Sequence, residues 1–421
     1  MNKNNKIKME NIDFGDGRVA DVIKAIKSYY DPEQLEDLSA ENKLDFICYV
    51  LQMPPDRFDR LISDNSPVWR TIKGHSFETV FDHIMRYANY EVVEAGGDTD
   101  VDRIVNGFSL QLKTPTESGT NGTIVQYKTH KTHGAKSEVE SMDYYHGVND
   151  FADLLVGLIS YNPFQIIFLN KNELPRHKND QDRIQSPFSI NWKSHPGLNN
   201  YKRIGIDSIK IDPSIFTNNV GNEVLPNTSN IIGVNSDIIL DTILRISNFR
   251  IWDMSIRGFA REIQFHYIMT SSNKKLYNPS IYRKERGDKS DFMLKRKSDD
   301  RNFFFQMKGI STNNCVFKGN ESFVACETQL TRGRVNDHPT QSRLYLKSDF
   351  DYLIIGLDPA VSKKYYNEIG IKNKLQWAFF AIPTKDLEVH NKMPHRLKSL
   401  QMIKFTEILS YLIDDSWIDL W

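Results

Sequence analysis

Two stretches decide the reading: GGDTDVDRIVNGFSLQLKT at residues 96–114 and RGDKSDFMLKRKSDDRNFFFQMKGIST at residues 286–312. Each sets an aspartate before a short apolar run, turns, and ends in a second run carrying Gln-x-Lys. The two runs predict a β-hairpin, with Asn106-Gly107 as the turn in the first stretch and the longer RKSDDRN in the second. In a strand, residues i and i+2 share a face. Gln111 and Lys113 therefore point one way, as do Gln306 and Lys308, while Leu112 and Met307 face the other. An aspartate opening the neighbouring strand can lie beside that polar pair. An Asp carboxylate, a backbone carbonyl and a Gln amide oxygen, with retained waters, suit Mg2+. A lysine ammonium beside them would hold or activate a water and offset charge on a phosphate.

Outward from the hairpins the likeness continues. FETVFDHIM (77–85) resembles REIQFHYIM (261–269), which aligns Glu78, Phe81, Ile84 and Met85 with Glu262, Phe265, Ile268 and Met269. Beyond the hairpins, VQYKTHKTHG (125–134) resembles VACETQLTRG (324–333). DFADLLVGL (150–158) resembles DFDYLIIGL (349–357), and KNELPRH (171–177) resembles TKDLEVH (384–390). The blocks keep their order and their separation only grows, as insertions in a second copy require. The period is nearly half the chain, far beyond solenoid repeats of roughly 20–50 residues, so each copy is expected to be a domain.

Each copy reads helix, two strands, helix, two strands. In the first these are SFETVFDHIMRYA, DRIV, FSLQLK, SEVESMDYYHG, DLLVGLI and FQIIFL. The strands of the second are FMLK, FFFQMKG, DYLIIGL and WAFFAI. Short apolar runs bounded by turn residues predict an α/β architecture, a mixed α+β sheet flanked by helices. Residues 1–70 form a helical N-terminal segment, with apolar residues at three- and four-residue spacing over 17–70. Residues 71–185 are the first domain and 236–421 the second. Between them, 186–235 is rich in Asn, Pro, Ser and Gly and reads as a linker with some strand at IGIDSIKID (204–212).

Lys plus Arg and Asp plus Glu both count 54, which excludes a uniformly basic nucleic-acid coat but not a local basic cleft. No apolar run is long enough for a membrane span. The stretch MNKNNKIKMENIDFGDG lacks the apolar core of a secretory signal. Cys48, Cys315 and Cys326 show no CxxC spacing, so neither a disulfide framework nor structural zinc is expected, and a reducing cytoplasm is the expected home.

An acid, a variable hairpin and (Asp/Glu/Gln)-x-Lys, preceded by a helical Glu, resemble the PD-(D/E)XK nuclease superfamily, and within it type II restriction endonucleases. The resemblance covers about residues 70–175 and 255–390. It implies two tandem restriction-endonuclease-like domains and Mg2+-dependent phosphodiester hydrolysis of double-stranded DNA, with Mn2+ as a substitute. Carried over by position, Asp102 and Asp291 are metal ligands, and Gln111 and Gln306 stand at the second acidic, metal-binding position. Lys113 and Lys308 are the lysines of the site, and Glu78 and Glu262 match the helical glutamate. The second acid is Gln in both copies, which removes one charge from the metal site. In the first copy Asp98, Asp100 and Asp102 compete for the metal role; Asp102 is preferred because Ile104 and Val105 follow it as Phe292 and Met293 follow Asp291, with Asp100 the alternative. The resemblance also implies a cognate DNA methyltransferase in the same cell.

Ordinary readings stand beside these. A lone Gln-x-Lys is usually a solvated strand face; its recurrence in register with Glu and Asp is what lifts it. Phe81–Met85, the repeated DFxxLxxGL and Phe303–Phe305 read as core. Thr129, His130, Lys131 and His133, and Gln329, Arg332 and Arg334, occupy matching places after the two hairpins and could meet phosphates or base edges. KSHPGLNNYKR (193–203) and LKRK (294–297) are further phosphate candidates. Two copies in one chain predict a monomer acting as a pseudo-dimer, one site for each strand. The alternatives are a repair or recombination nuclease of the same superfamily, or a DNA-binding protein with inactive nuclease folds.

Overall fold

The computed structural model describes residues 38–95, 101–116, 122–129, 145–209, 212–216, 223–245, 256–271, 290–318, 321–330, 343–357, 377–414 and 417, apart from 52 and 297. The chain divides into two units: Ile62–Ile246, and Ser247–Trp421 joined by Met1–Leu61. Both mix helices with antiparallel and parallel strand pairs. No helix among the described residues is long and apolar enough to cross a membrane.

In the N-terminal region, α1 (Ala40–Leu51) and α2 (Pro55–Ser63) fall where the spacing predicts helix. Helix α3 (Ser66–Tyr87) has proline in its first turn, where a missing N–H costs nothing. It ends at Asn89, in the left-handed region at φ 63°, with Asn89 N donating to Arg86 O and Tyr90 N to Met85 O. Its face of Val68, Ile72, Phe77, Val80, Phe81, Ile84 and Met85 is fully buried, and each such side chain is worth about 1.5–3 kcal/mol of burial.

The sheet of the first unit is ordered β1 (Val92–Glu94), β2 (Arg103–Val105), β3 (Phe108–Lys113), β5 (Leu154–Tyr161), β6 (Phe164–Asn170). The β2–β3 hairpin turns on Asn106 and Gly107, both at positive φ (50° and 81°), as a two-residue turn of this hand demands. β3 pairs parallel with β5, setting Gln111 against Leu155 and Lys113 against Gly157; β5 and β6 are antiparallel. A ribbon of β4 (Ile124–Tyr127) and β9 (Phe188–Asn191) and a hairpin of β7 (Arg176–His177) and β8 (Asp180–Ile184) complete the strands. Helices α4 (Pro226–Ile232) and α5 (Ser236–Arg245) follow; α5 meets α3 through Thr242 Oγ1, which donates to Thr79 Oγ1 at 3.0 Å.

The described part of residues 186–235, expected to be a linker, is folded chain within the first unit. β9 lies within them, Arg203 pairs with Glu173, Asn106 Nδ2 donates to Ile204 O, and Phe168 N donates to Gly197 O. Polar, Pro- and Gly-rich sequence is compatible with folded irregular chain when its backbone groups find partners in this way. The strand falls at Phe188–Asn191, while the described part of IGIDSIKID is the end of a 3-10 turn and irregular chain.

In the second unit, α6 (Arg257–Ser271) precedes a hairpin of β10 (Phe292–Lys295) and the long β11 (Asn302–Lys318). β11 pairs parallel with β13 (Tyr352–Leu357), which pairs antiparallel with β14 (Ala378–Pro383). The far end of β11 pairs with β12 (Glu321–Glu327), and β12 with β17 (Leu400–Lys404); β15 (Val389–His390) and β16 (Met393–Leu397) form a small hairpin.

Particular hydrogen bonds recur in both units. Asp153 Oδ2 accepts from Ser109 N and Asp351 Oδ2 from Phe304 N. Arg183 Nη1 donates to Tyr145 O and Arg396 Nη1 to Leu344 O. Asn179 N donates to His177 Nδ1 and Lys392 N to His390 Nδ1. By this bonding Asp153 corresponds to Asp351, whereas the match of DFADLLVGL with DFDYLIIGL sets Asp351 against Ala152. The first unit carries one more residue between Phe151 and the strand.

Candidate functional site

Asp102 ends the approach to β2, and its backbone N donates to Leu110 O at 2.8 Å. Its carboxylate turns back onto β3, where Oδ2 accepts from Leu112 N at 2.7 Å and meets Lys113 Nζ at 3.7 Å. The second unit repeats the arrangement: Asp291 N donates to Phe305 O at 2.7 Å, and Asp291 Oδ2 accepts from Met307 N at 2.7 Å. Asp98 and Asp100 lie outside the described residues; among the described residues Asp102 meets Lys113.

Glu78 projects from α3 with His75 three residues before it and Asp82 four after, a polar stripe beside the buried face. His75 Nδ1 lies 3.3 Å from Glu78 Oε1. Arg103, the residue after Asp102, is buried and sends Nε to Asp82 Oδ1 at 2.9 Å and Nη2 to Glu78 Oε2 at 3.4 Å. Burial raises the Glu78 carboxyl, but His75, Arg103 and Lys113 outweigh it and hold the group below its usual range. Burial dominates at Asp102 and, with the neighbouring Glu78 charge, raises it above the usual range against the pull of Lys113 and the Leu112 N–H. Tyr161 Oη is buried without a hydrogen-bond partner, and its pKa is raised by burial and by the Glu78 charge.

The two glutamines differ. Gln111 is buried, on the face of β3 that carries Lys113, and its Oε1 has no hydrogen-bond partner. Gln306 Nε2 donates to Asp291 Oδ2 and to Met307 O. Lys308 Nζ lies 5.5 Å from the centre of the Tyr345 ring, a buried side chain whose hydroxyl pKa is raised by burial and by the charges of Asp291 and Asp349. Glu262 is half-buried on α6.

The hairpin expectation thus gathers Glu78, Asp102 and Lys113 in the first unit and Asp291, Gln306 and Met307 N in the second. His75, Asp82, Arg103, Tyr161 and Tyr345 were not anticipated. The spacing of His75, Glu78 and Asp82 on one helix was the available signal for two of them; Tyr345 had none. Among the described residues no three His, Cys, Asp or Glu side chains gather to hold a metal ion. Oxygen donors for a hard cation in the first unit come from Asp102 and from Gln111 Oε1, which burial leaves in need of a partner, so these residues fit Mg2+.

The expected DNA contacts fare differently. Thr129 is 1% exposed and its amide donates to Ser186 Oγ at 2.9 Å, so as folded it braces the chain and reaches no ligand. Gln329 Nε2 donates to Glu327 Oε1. His130, Lys131, His133, Arg332 and Arg334 lie outside the described residues. Of the other basic clusters, Arg203 is paired with Glu173, Lys295 with Asp300 and Arg296 with Asp299, while Lys193 Nζ lies over the Trp192 ring.

No family model, curated protein or solved structure matches this chain.

Proposed function

We propose that this chain is a Mg2+-dependent endonuclease of the PD-(D/E)XK kind acting on double-stranded DNA, with the nuclease domain duplicated. One observation carries the reading. In both units the aspartate that opens a hairpin accepts a hydrogen bond from the residue between Gln and Lys of the partner strand. The shared strand pairings and the recurring bonds of Asp153 and Asp351, and of Arg183 and Arg396, support a common ancestry for the units.

In this reading Asp102 and Gln111 hold the cation in the first unit, and Asp291 and Gln306 in the second. When bound, Mg2+ supplies charge neutralisation at the scissile phosphate and lowers the pKa of water. Lys113, tethered near Asp102, positions the attacking water and offsets charge developing on the phosphoryl oxygens. The Leu112 N–H fixes the Asp102 carboxylate, so its orientation is set before substrate arrives. Arg103 neutralises Asp82 and part of Glu78, which lets three carboxylates share a small volume beside an anionic substrate.

The test is incubation of the full chain with supercoiled plasmid and Mg2+. Discrete fragments support a site-specific restriction enzyme, and a smear points to a repair nuclease. Retarded DNA without cutting leaves a DNA-binding protein and refutes the enzyme.

A further inference from the structure

We propose that Tyr345 is a positioning residue of the second unit: the face of its ring holds the Lys308 ammonium where it can meet a phosphate oxygen of DNA. This rests on the reading of Lys308 as the lysine of a nuclease site.

Lys308 stands in β11 two residues after Gln306 and is half-buried. Its Nζ lies 5.5 Å from the centre of the Tyr345 ring. That is inside the range of about 6 Å over which the negative face of an aromatic ring attracts a cation. The ring itself is fixed. Tyr345 is 2% exposed, meets Phe350 edge-on at 5.3 Å, and its backbone O accepts from Leu397 N at 2.9 Å. It also feels the hairpin aspartate: after burial, the Asp291 charge is the larger cause of the rise in its hydroxyl pKa.

The first unit shows that the fold does not require a tyrosine at this place. Ile184 N donates to His146 O as Leu397 N donates to Tyr345 O, and the carbonyls one residue earlier, of Tyr145 and Leu344, accept from Arg183 and Arg396. His146 meets Phe151 edge-on at 5.6 Å, as Tyr345 meets Phe350. The packing thus calls for a flat ring of either kind. The cation beside Tyr345 calls for the ring with the more negative face. A lysine ammonium rides on a flexible four-carbon stem. A buried ring that attracts it narrows its range before substrate arrives, without setting a further anion beside the phosphate.

The experiment replaces Tyr345 in the full chain by phenylalanine, and then by mono-, di- and trifluorinated phenylalanine. Fluorine drains the ring face while the shape is nearly kept. Plasmid cutting in Mg2+ is expected to be close to the parent rate with phenylalanine. It is expected to fall stepwise with each fluorine, to about tenfold slower with three, as loss of a desolvated cation–ring contact would give. Thermal unfolding of the series is expected to stay level, which a merely structural role would pair with level cutting. A second readout needs no DNA. In protein labelled at the lysine ε carbons, the Lys308 resonance is identified by its loss in Lys308→Arg. Ring current is expected to shift it upfield in the parent and in Tyr345→Phe, and not in Tyr345→Leu. An unshifted Lys308 resonance, or cutting indifferent to fluorine, overturns the proposal and leaves the nuclease reading standing. A shifted resonance in a parent that cuts no DNA defeats the nuclease reading, and the positioning role with it.

Discussion

The Arg103 guanidinium is held by Asp82 through Nε, 2.9 Å from Oδ1, and Nη2, 3.1 Å from Oδ2, a two-point grip inside the first unit. In the second unit the residue after the hairpin aspartate is Phe292, stacked on Phe305 at 5.2 Å. The same backbone position is thus filled by an ion pair in one unit and by aromatic packing in the other. Removing one partner of a buried pair strands the other charge, at about 3–5 kcal/mol. Arg103→Met is therefore expected to destabilise the first unit by that amount. Adding Asp82→Leu is expected to recover part of the loss. Calorimetric unfolding of the single and double variants checks both; a single variant as stable as the parent contradicts the pair's role.

Gly157 sits in β5 under the Tyr127 ring. A methyl group there would lie 2.5 Å from Tyr127 Cζ, and the ring is fixed by burial and by its hydroxyl donating to Leu158 O at 2.9 Å. Gly157→Ala is expected to cost about 1–3 kcal/mol through overpacking. Tyr127→Phe in the same background does not relieve it, because the ring remains. Recovery in Gly157→Ala with Tyr127→Leu, read by thermal unfolding, identifies the clash as the cause.

His266 on α6 is kept neutral: burial, with Arg57 adding to it, lowers its pKa from 6.5 to about 4. The unfolded chain therefore binds a proton that the folded chain refuses between those values. Its contribution to stability is full above pH 6.5 and is lost as pH falls toward 4, with a slope of at most about 1.4 kcal/mol per pH unit. His266→Gln is expected to flatten the acid limb of the second unit's stability profile in urea unfolding at pH 7, 6 and 5. An unchanged slope contradicts the assignment.

Much of this was legible in the sequence for local reasons. Asn106-Gly107 between alternating runs specifies a hairpin because only such residues take two consecutive positive φ values at low cost. FSLQLK ends where β3 ends because its neighbours on both sides are turn residues. The parts that were missed depend on distant chain. β9 pairs with β4 across some sixty positions, so 186–235 looked like a linker. Thr129 looked available until Ser186 captured its amide. The repeated DFxxLxxGL reads as core, and the fold shows in addition that its glycines allow close approach: Tyr127 covers Gly157, and Arg261 covers Gly356 as it does Gly309 of the neighbouring strand. Gln111 and Gln306 share the Gln-x-Lys pattern, and only in three dimensions does it emerge that Gln306 Nε2 donates to Asp291 Oδ2 while Gln111 Oε1 finds no hydrogen bond.

Removal of divalent metal gives a direct test of the chemistry. If one aspartate and one glutamine oxygen are the protein donors, as proposed, Mg2+ would keep several waters and depend on the DNA phosphate for further ligands. On this reading binding without DNA is expected to be weak. EDTA is expected to abolish cutting, and Mn2+ in excess over the chelator to restore it. Full activity in EDTA, or tight binding of zinc in a competition titration, rules out the mechanism.

The lysines separate the two strands. In the proposed mechanism each would supply a fixed positive charge at a phosphate oxygen, which neither water nor a neutral side chain replaces. Lys113 is held 3.7 Å from Asp102, and Lys308 lies against the Tyr345 ring, so the two are braced differently but stand at the same place in their hairpins. If each unit cuts one strand, Lys113→Ala and Lys308→Ala each leave a nicking enzyme, and the nicks fall on opposite strands. The units differ in the residues after the hairpins, THKTHG against TQLTRG, so the target need not read the same on both strands. Sequencing of the nicked ends from each variant decides the matter. A variant that loses both cuts makes one unit structural, and sedimentation of an obligate dimer on DNA removes the single-chain arrangement altogether.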